Sequence, residues 1–454
     1  MRQLCEYISG AANTVASSVC WTQVEISDAC SIEIIAFCVD NLVAIVDVSK
    51  SVVTQTLRGH TGRINVLKST KSLLISASED FSIRIWNIGM NTTWESIATL
   101  SGVMRKSIIA LSCLDIACGI LIVASDVTGR VAIWLKGHQS DSFSVLQIID
   151  MPAAQMPHDL HLTEVPGNDS RNVPNAPDVL LFIGSVDSRI HIRTASQQSL
   201  MNAVTVCQQA DDVESENPAD LKPTGFSVFN LVGVLAGHEE WVTCLSSVKV
   251  DNKTILLASG SKDSKIRLWR MTFNPCTYVT GSAQHLTTEF NKFTIQINDN
   301  DEDEDEDDDD TDATEGLIKL EPDESISEAR LMFNTPCGKL ECSIFFDALL
   351  IGHEDWVTSV HWMISDSDQS SDQDQDRNSN VGSSTARSDL HGGLNMNKVE
   401  NHRLYSTSMD RYVCAYISYL GTFQVFHTST NTVSTIQFIV ESCRKHSDSL
   451  IYKK

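Results

Sequence analysis

The sequence predicts an all-β fold made of recurring, four-stranded antiparallel sheets. A Gly-His pair, an Asp-containing turn and a closing aromatic residue recur in fixed register along the 454 residues. The stretches between them are rich in β-branched residues of alternating polarity, and their turns are short and polar, which is the pattern of a meander. A unit returning about every 40 to 60 residues implies modules that stack or radiate, because one small sheet cannot bury its own apolar faces.

The clearest copy opens at Gly59-His60-Thr61-Gly62-Arg63-Ile64 and runs through Leu73-Leu74-Ile75-Ser76-Ala77-Ser78-Glu79-Asp80 to Ile83-Arg84-Ile85-Trp86. A second joins Gly237-His238-Glu239-Glu240-Trp241-Val242 to Lys262-Asp263 and Ile266-Arg267-Leu268-Trp269. A third, Gly352-His353-Glu354-Asp355-Trp356-Val357, reaches Ser406-Thr407-Ser408-Met409-Asp410 only after a long polar insertion. In each, the residue six after the turn Asp is aromatic: Trp86, Trp269 and Tyr416.

With the register fixed, weaker copies follow by counting. Asp40 leads to Val46, Asp187 leads to Arg193, and Thr128, standing in the Asp position, leads to Trp134. Gly137-His138 is set aside as a hairpin turn, because no apolar strand follows it. Six copies result, two without the closing aromatic and one without the Asp.

This unit resembles the WD-repeat β-propeller, in which each blade is a four-stranded sheet. The resemblance implies that the loop His hydrogen-bonds the turn Asp while a Ser and the Trp extend the network. A costly buried carboxylate is thereby satisfied and the loop is tied to its sheet. His60, Asp80 and Trp86, then His238, Asp263 and Trp269, and finally His353 and Asp410 are expected to be structural. The neighbours of these pairs must then share one rim: Arg63, Trp241 and Trp356 in the loops, Glu79, Lys262 and Met409 in the turns. Trp and Arg dominate interface energetics, so this rim is the candidate partner surface; packing of each Trp on a neighbouring blade is the competing reading.

The propeller is expected over 1–416, with insertions at about 207–223, 275–330 and 364–400 whose polar or acidic composition predicts disorder. Residues 417–454 read as a divergent tail, either a makeshift or incomplete last blade or the end of a truncated product, with truncation favoured.

The net charge of -25 excludes a general nucleic-acid or anionic-membrane binder. The run Asp299 to Asp310, acidic except at Asn300, carries much of it together with Asp312 and reads as a solvated tether. No run of 18 apolar residues occurs and Glu6 interrupts any secretory leader, so a cytoplasmic chain, also able to reside in the nucleus, is expected. The thirteen cysteines form no CxxC pair; Cys38, Cys113, Cys244 and Cys414 read as buried thiols, and no metal or other cofactor is expected. No phosphate loop, HExxH, GxSxG or kinase signature appears, so an enzyme is not expected.

The paired Gly-His-Glu-x-Trp-Val segments at Gly237 and Gly352, with Ser185-Val186-Asp187-Ser188-Arg189 and Leu404-Tyr405-Ser406-Thr407-Ser408-Met409-Asp410-Arg411, narrow the resemblance. They are similar to the WD-repeat subunits of the Elongator complex, in the same order along the chain. The resemblance implies a non-catalytic scaffold supporting wobble-uridine modification of tRNA. Its implied partners are the large scaffold subunit and the catalytic radical/acetyl-transferase subunit, with tRNA met only indirectly. It also implies seven blades and a second propeller, neither of which is recognisable here. A generic WD adaptor, such as a ubiquitin-ligase substrate receptor or a signalling scaffold, is the alternative, and direct RNA binding ranks third.

Overall fold

The computed structural model describes residues 17–27, 30–50, 52–70, 72–88, 93–138, 140, 142–166, 177–196, 198–203, 227–276, 293–295, 328–335, 338–364, 402–410, 412–419 and 422–429. Sheet 1 comprises β1 (Val19–Ser27), β2 (Cys30–Val39), β3 (Leu42–Asp47) and β4 (Val52–Leu57). Sheet 2 comprises β5 (Ile64–Ser69), β6 (Leu73–Ser78), β7 (Ile83–Ile88) and β8 (Trp94–Leu100), and sheet 3 comprises β9 (Ile108–Ile116), β10 (Gly119–Asp126), β11 (Arg130–Gly137) and β12 (Ser144–Asp150). Sheet 4 takes β13 (Pro157–Glu164), β14 (Pro177–Ser185), β15 (Ile190–Ser196) and β16 (Asn230–Leu235); sheet 5 begins with β17 (Val242–Lys249), β18 (Thr254–Ser261) and β19 (Lys265–Cys276). The chain returns to the edge of sheet 4 as β20 (Phe293–Ile295), parallel to β16, then completes sheet 5 with β21 (Glu328–Thr335) and β22 (Gly338–Ile351). Sheet 6 holds β23 (Val357–Ile364), β24 (His402–Ser408), β25 (Tyr412–Tyr419) and β26 (Thr422–Ser429).

Burial explains the sequence pattern of each strand. β6 and β18 are buried at every position, because both faces of a central strand meet a neighbouring sheet, and they read as near-continuous apolar and small residues. Of the outer strands, β4 alternates toward solvent and β8 is largely exposed beyond buried Trp94. Apolar cores form between successive sheets. Trp86 packs with Cys20 and Ile45 of sheet 1, Trp269 with Leu180 and Phe182 of sheet 4, and Tyr416 with Leu256 and Leu268 of sheet 5. Each closing aromatic therefore faces back onto the preceding sheet.

The inner strands are also tied to one another. Leu67 donates its backbone N–H to Ser17 O at 2.9 Å, the Asn65 amide donates to Ile108 O at 2.9 Å, and Leu162 donates to Ser112 Oγ at 3.0 Å. Leu245 donates to Asp159 Oδ2 at 2.8 Å, and the Trp362 indole donates to Ser246 O at 3.2 Å. The charge of Lys68, on β5, is felt at Cys20, Cys113, Asp159, His161, Cys244 and His361, which lie on β1, β9, β13, β17 and β23. The inner strands of the other five sheets thus gather around one side chain, as those of a radial array do. Six sheets disposed in this way make a six-bladed β-propeller.

Several boundaries differ from expectation. The limit placed after residue 416 falls inside β25, and β26 makes residues 422–429 the outer strand of sheet 6. Most of the three expected insertions lies outside the described residues, but 275–330 contains β20 and the start of β21, because a sheet edge offers unpaired backbone groups that any passing segment can satisfy. His138 is exposed in the loop between β11 and β12, a hairpin as read. Cys38, Cys244 and Cys414 are buried thiols, whereas Cys113 is only half-buried, at the edge of the core between sheets 2 and 3.

Close packing between sheets is least tolerant at Gly260 on β18. A Cβ there would lie 2.6 Å from Cys244 Sγ and 2.6 Å from Cγ1 of Val357, on the next sheet. Gly260→Ala is expected to lower stability by about 1–3 kcal/mol, read as a drop in the urea midpoint with unchanged slope.

Candidate functional site

The loop before each inner strand places a histidine over its own sheet. His60 Nδ1 lies 2.9 Å from Asp80 Oδ2, and Nε2 lies 2.8 Å from Ser76 Oγ, which also receives the Trp86 indole N–H at 2.9 Å. Sheet 5 repeats this with His238, Asp263, Ser259 and Trp269 at 2.8, 2.9 and 3.0 Å. In sheet 6, His353 meets Asp410 at 2.9 Å and Ser406 at 2.7 Å, with buried Tyr416 in the Trp position. The chemistry fixes the proton positions. The carboxylate can only accept, so Nδ1–H donates to it; on the neutral ring Nε2 is then an acceptor, and the serine hydroxyl, which receives the indole N–H, donates its own hydrogen bond to Nε2. Thr61, Glu239 and Glu354 each add a backbone N–H to the same carboxylate oxygen.

Burial pushes the pKa of His60 and His238 down, more than their aspartates raise it, and the nearby charges of Arg84 and Arg267 push the same way, so both rings are neutral. Burial opposes ionisation of Asp80 and Asp263, yet the hydrogen bonds around them prevail and hold both carboxyls below their ordinary range.

Two sheets solve the same problem with other residues. Thr128 was expected in the Asp position of sheet 3, but the carboxylate comes from Asp126, two residues earlier and fully buried. It accepts N–H groups from Arg105, Lys106 and Thr128 and the Thr128 hydroxyl, so backbone donors replace the missing loop histidine. In sheet 4, Asp187 is met at 3.2 Å by Nε2 of His191, reaching across from β15. The signal for His191 was its spacing of four from the turn Asp.

The rim residues are paired by backbone bonds: Glu79 N to Arg63 O at 2.8 Å, Lys262 N to Trp241 O at 2.9 Å, and Met409 N to Trp356 O at 3.0 Å. The Trp241 and Trp356 rings lie 6.1 Å apart, and Lys262 Nζ sits 4.8 Å from the centre of each. His158 lies 6.3 Å from Trp241 on the other side. The rings touch across sheets 5 and 6, which is the packing reading, while Trp241 remains 36% exposed and Met409 47% exposed. Phe81 and Val127, in the turns of sheets 2 and 3, are exposed as well and were not singled out from sequence. Phe81 adopts φ 65°, an unfavourable conformation for a bulky side chain.

This combination defines the chain as a WD-repeat β-propeller, and the model of the family described as "WD domain, G-beta repeat" matches residues 51–87 and 229–270. The particular protein to which it is similar is Elongator complex protein 2. That of Dictyostelium discoideum is 23% identical over 434 residues, covering 89% of this chain and 39% of the relative. Those of Saccharomyces cerevisiae and Homo sapiens are 25% and 23% identical over 348 and 342 residues, covering 75% and 72% of this chain. The chain spans 39%, 35% and 32% of the length of these three relatives. The resemblance read from the repeats holds.

Two outcomes follow from the geometry. Asp263→Asn and His238→Ala should each destabilise by about 2–4 kcal/mol in urea unfolding, and the double variant should lose less than the sum, because each change strands the other partner. On the axis, burial brings His161 down to about 3 and His361 to about 4, with the Lys68 charge adding to both. A histidine lowered in the native state contributes fully above its unfolded pKa, and that contribution is lost as pH falls toward the folded value. Moving from about pH 6.5 to about pH 5 should therefore remove roughly 1–2 kcal/mol per histidine, and His161→Gln with His361→Gln should flatten the melting profile over that range.

Proposed function

We propose that this chain is a non-catalytic scaffold of an Elongator-type assembly, supporting modification of tRNA wobble uridines through protein contacts made by its rim. The observation that carries the reading is the cross-sheet group of Trp241, Trp356 and Lys262 on the rim, in a chain similar to Elongator complex protein 2 over most of its own length. Arg63, Glu79 and Met409 extend that contact surface. The partners are the large scaffold subunit and the catalytic subunit that the resemblance supplies, and the working compartment is the cytoplasm with access to the nucleus. A scaffold also suits the histidines: His60, His238 and His353 have both ring nitrogens engaged within their own sheets, which leaves none of them as a general base.

Affinity purification of the tagged chain from native lysate, read by mass spectrometry, should recover the other Elongator subunits. Recovery should fall in the Trp241→Ala/Trp356→Ala variant, compared at a temperature where circular dichroism shows that the variant is still folded. A ubiquitin-ligase scaffold recovered without Elongator subunits would overturn the proposal in favour of the generic adaptor.

A further inference from the structure

We infer that the Trp241–Trp356 section of the rim docks a basic peptide segment, laying an arginine or lysine side chain of its partner on the exposed part of Trp241. The inference rests on reading the rim as a contact surface, but not on membership of any particular assembly.

The two rings already hold a cation. Lys262 Nζ lies 4.8 Å from both ring centres, a separation at which the aromatic quadrupole attracts positive charge. The surroundings are anionic by repetition of the motif, because each Trp follows two acidic residues, Glu239-Glu240 and Glu354-Asp355, and all four are exposed. In sheet 5 the pair is balanced locally, with Glu239 2.8 Å from Lys265 and Glu240 3.4 Å from Lys262. In sheet 6 neither Glu354 nor Asp355 has a cationic partner among the described residues; Asp355 only caps the Trp356 N–H at 2.7 Å. Exposed Met409 adjoins them and offers apolar surface to an alkyl stem. Exposed aromatic surface, apolar surface and carboxylates without a cationic partner among the described residues together complement a cationic segment.

The same charges disfavour RNA. Bases stack on aromatic rings, but single-strand binders surround such rings with lysine and arginine to hold the phosphates. Here carboxylates stand in that place. The basic side chains beside the tryptophans, Lys262 and Lys265, are matched by Glu240 and Glu239, and Arg63, Arg105 and Lys106 belong to the loops of sheets 2 and 3.

The test is fluorescence anisotropy of the full chain with a short labelled peptide rich in Arg and Lys, set against an acidic peptide and an oligouridylate of similar length. The basic peptide should bind and weaken with added salt. Trp241→Ala should weaken it about fivefold or more, and Glu354→Gln/Asp355→Asn about threefold or more. The amide pair keeps side-chain volume and an acceptor for the Trp356 N–H, so it reads charge without disturbing packing. Replacing the acidic residues of 299–310 by Ser should leave the Trp241 dependence intact. Absence of peptide binding, binding indifferent to both rim variants, or Trp241-dependent binding that is tighter for the oligouridylate would each overturn the proposal. Loss of peptide binding and loss of co-purification are separate results, so failure of this inference is distinguishable from failure of the scaffold assignment.

Discussion

A carboxylate held under a loop and away from water has to collect donors from whatever passes over it. In sheets 2, 5 and 6 the collected donors are a histidine ring and the backbone N–H that follows it, so satisfying one charge fixes where the entering loop lies. The serine and tryptophan beneath carry that constraint into the sheet, and the tryptophan carries it into the core shared with the preceding sheet. One electrostatic requirement thus reaches from a surface loop to the packing between modules. It also presents the residues flanking the histidine and the aspartate on a common edge.

What could be read from the amino acids alone follows from how narrowly the chemistry restricts each position. His60 with Asp80 and His238 with Asp263 were legible because an imidazole, a carboxylate and an indole must appear at set distances along the chain. Sheet 3 was legible as strands, but its carboxylate was misplaced, because Asp126 is satisfied by backbone groups that every residue carries and that leave no trace in side-chain identity. His191 escaped because it approaches its aspartate from the strand behind the turn, not from the loop ahead. The outer strand β26 was missed for a related reason: an edge strand packs on one side only, and few of its residues are dictated. The lysine between two tryptophans could not be foreseen at all, since it joins sheets whose mutual orientation no local pattern encodes.

The axis and the rim use polar residues in opposite ways. Around the axis, Asp159 is pushed up by burial, while His161 is held down and engages Ser247 through Nε2 at 2.9 Å. These groups serve one another and join strands β13 and β17. On the rim, side chains such as Glu354, Asp355 and Met409 are left facing solvent. Internal cohesion and external recognition are thereby separated within a few residues of the same inner strands.

The histidine and aspartate that close sheet 6 are 57 residues apart in sequence, against 20 in sheet 2. Bringing distant points of an unfolded chain together costs about 0.9 kcal/mol more at the longer separation, from loop-closure entropy alone. The network of sheet 6 is therefore the costlier of the two to close, and it has Tyr416 where sheet 2 has Trp86. Trp356 lies three residues beyond His353, so the same closure sets where the second ring of the aromatic pair comes to rest beside Trp241.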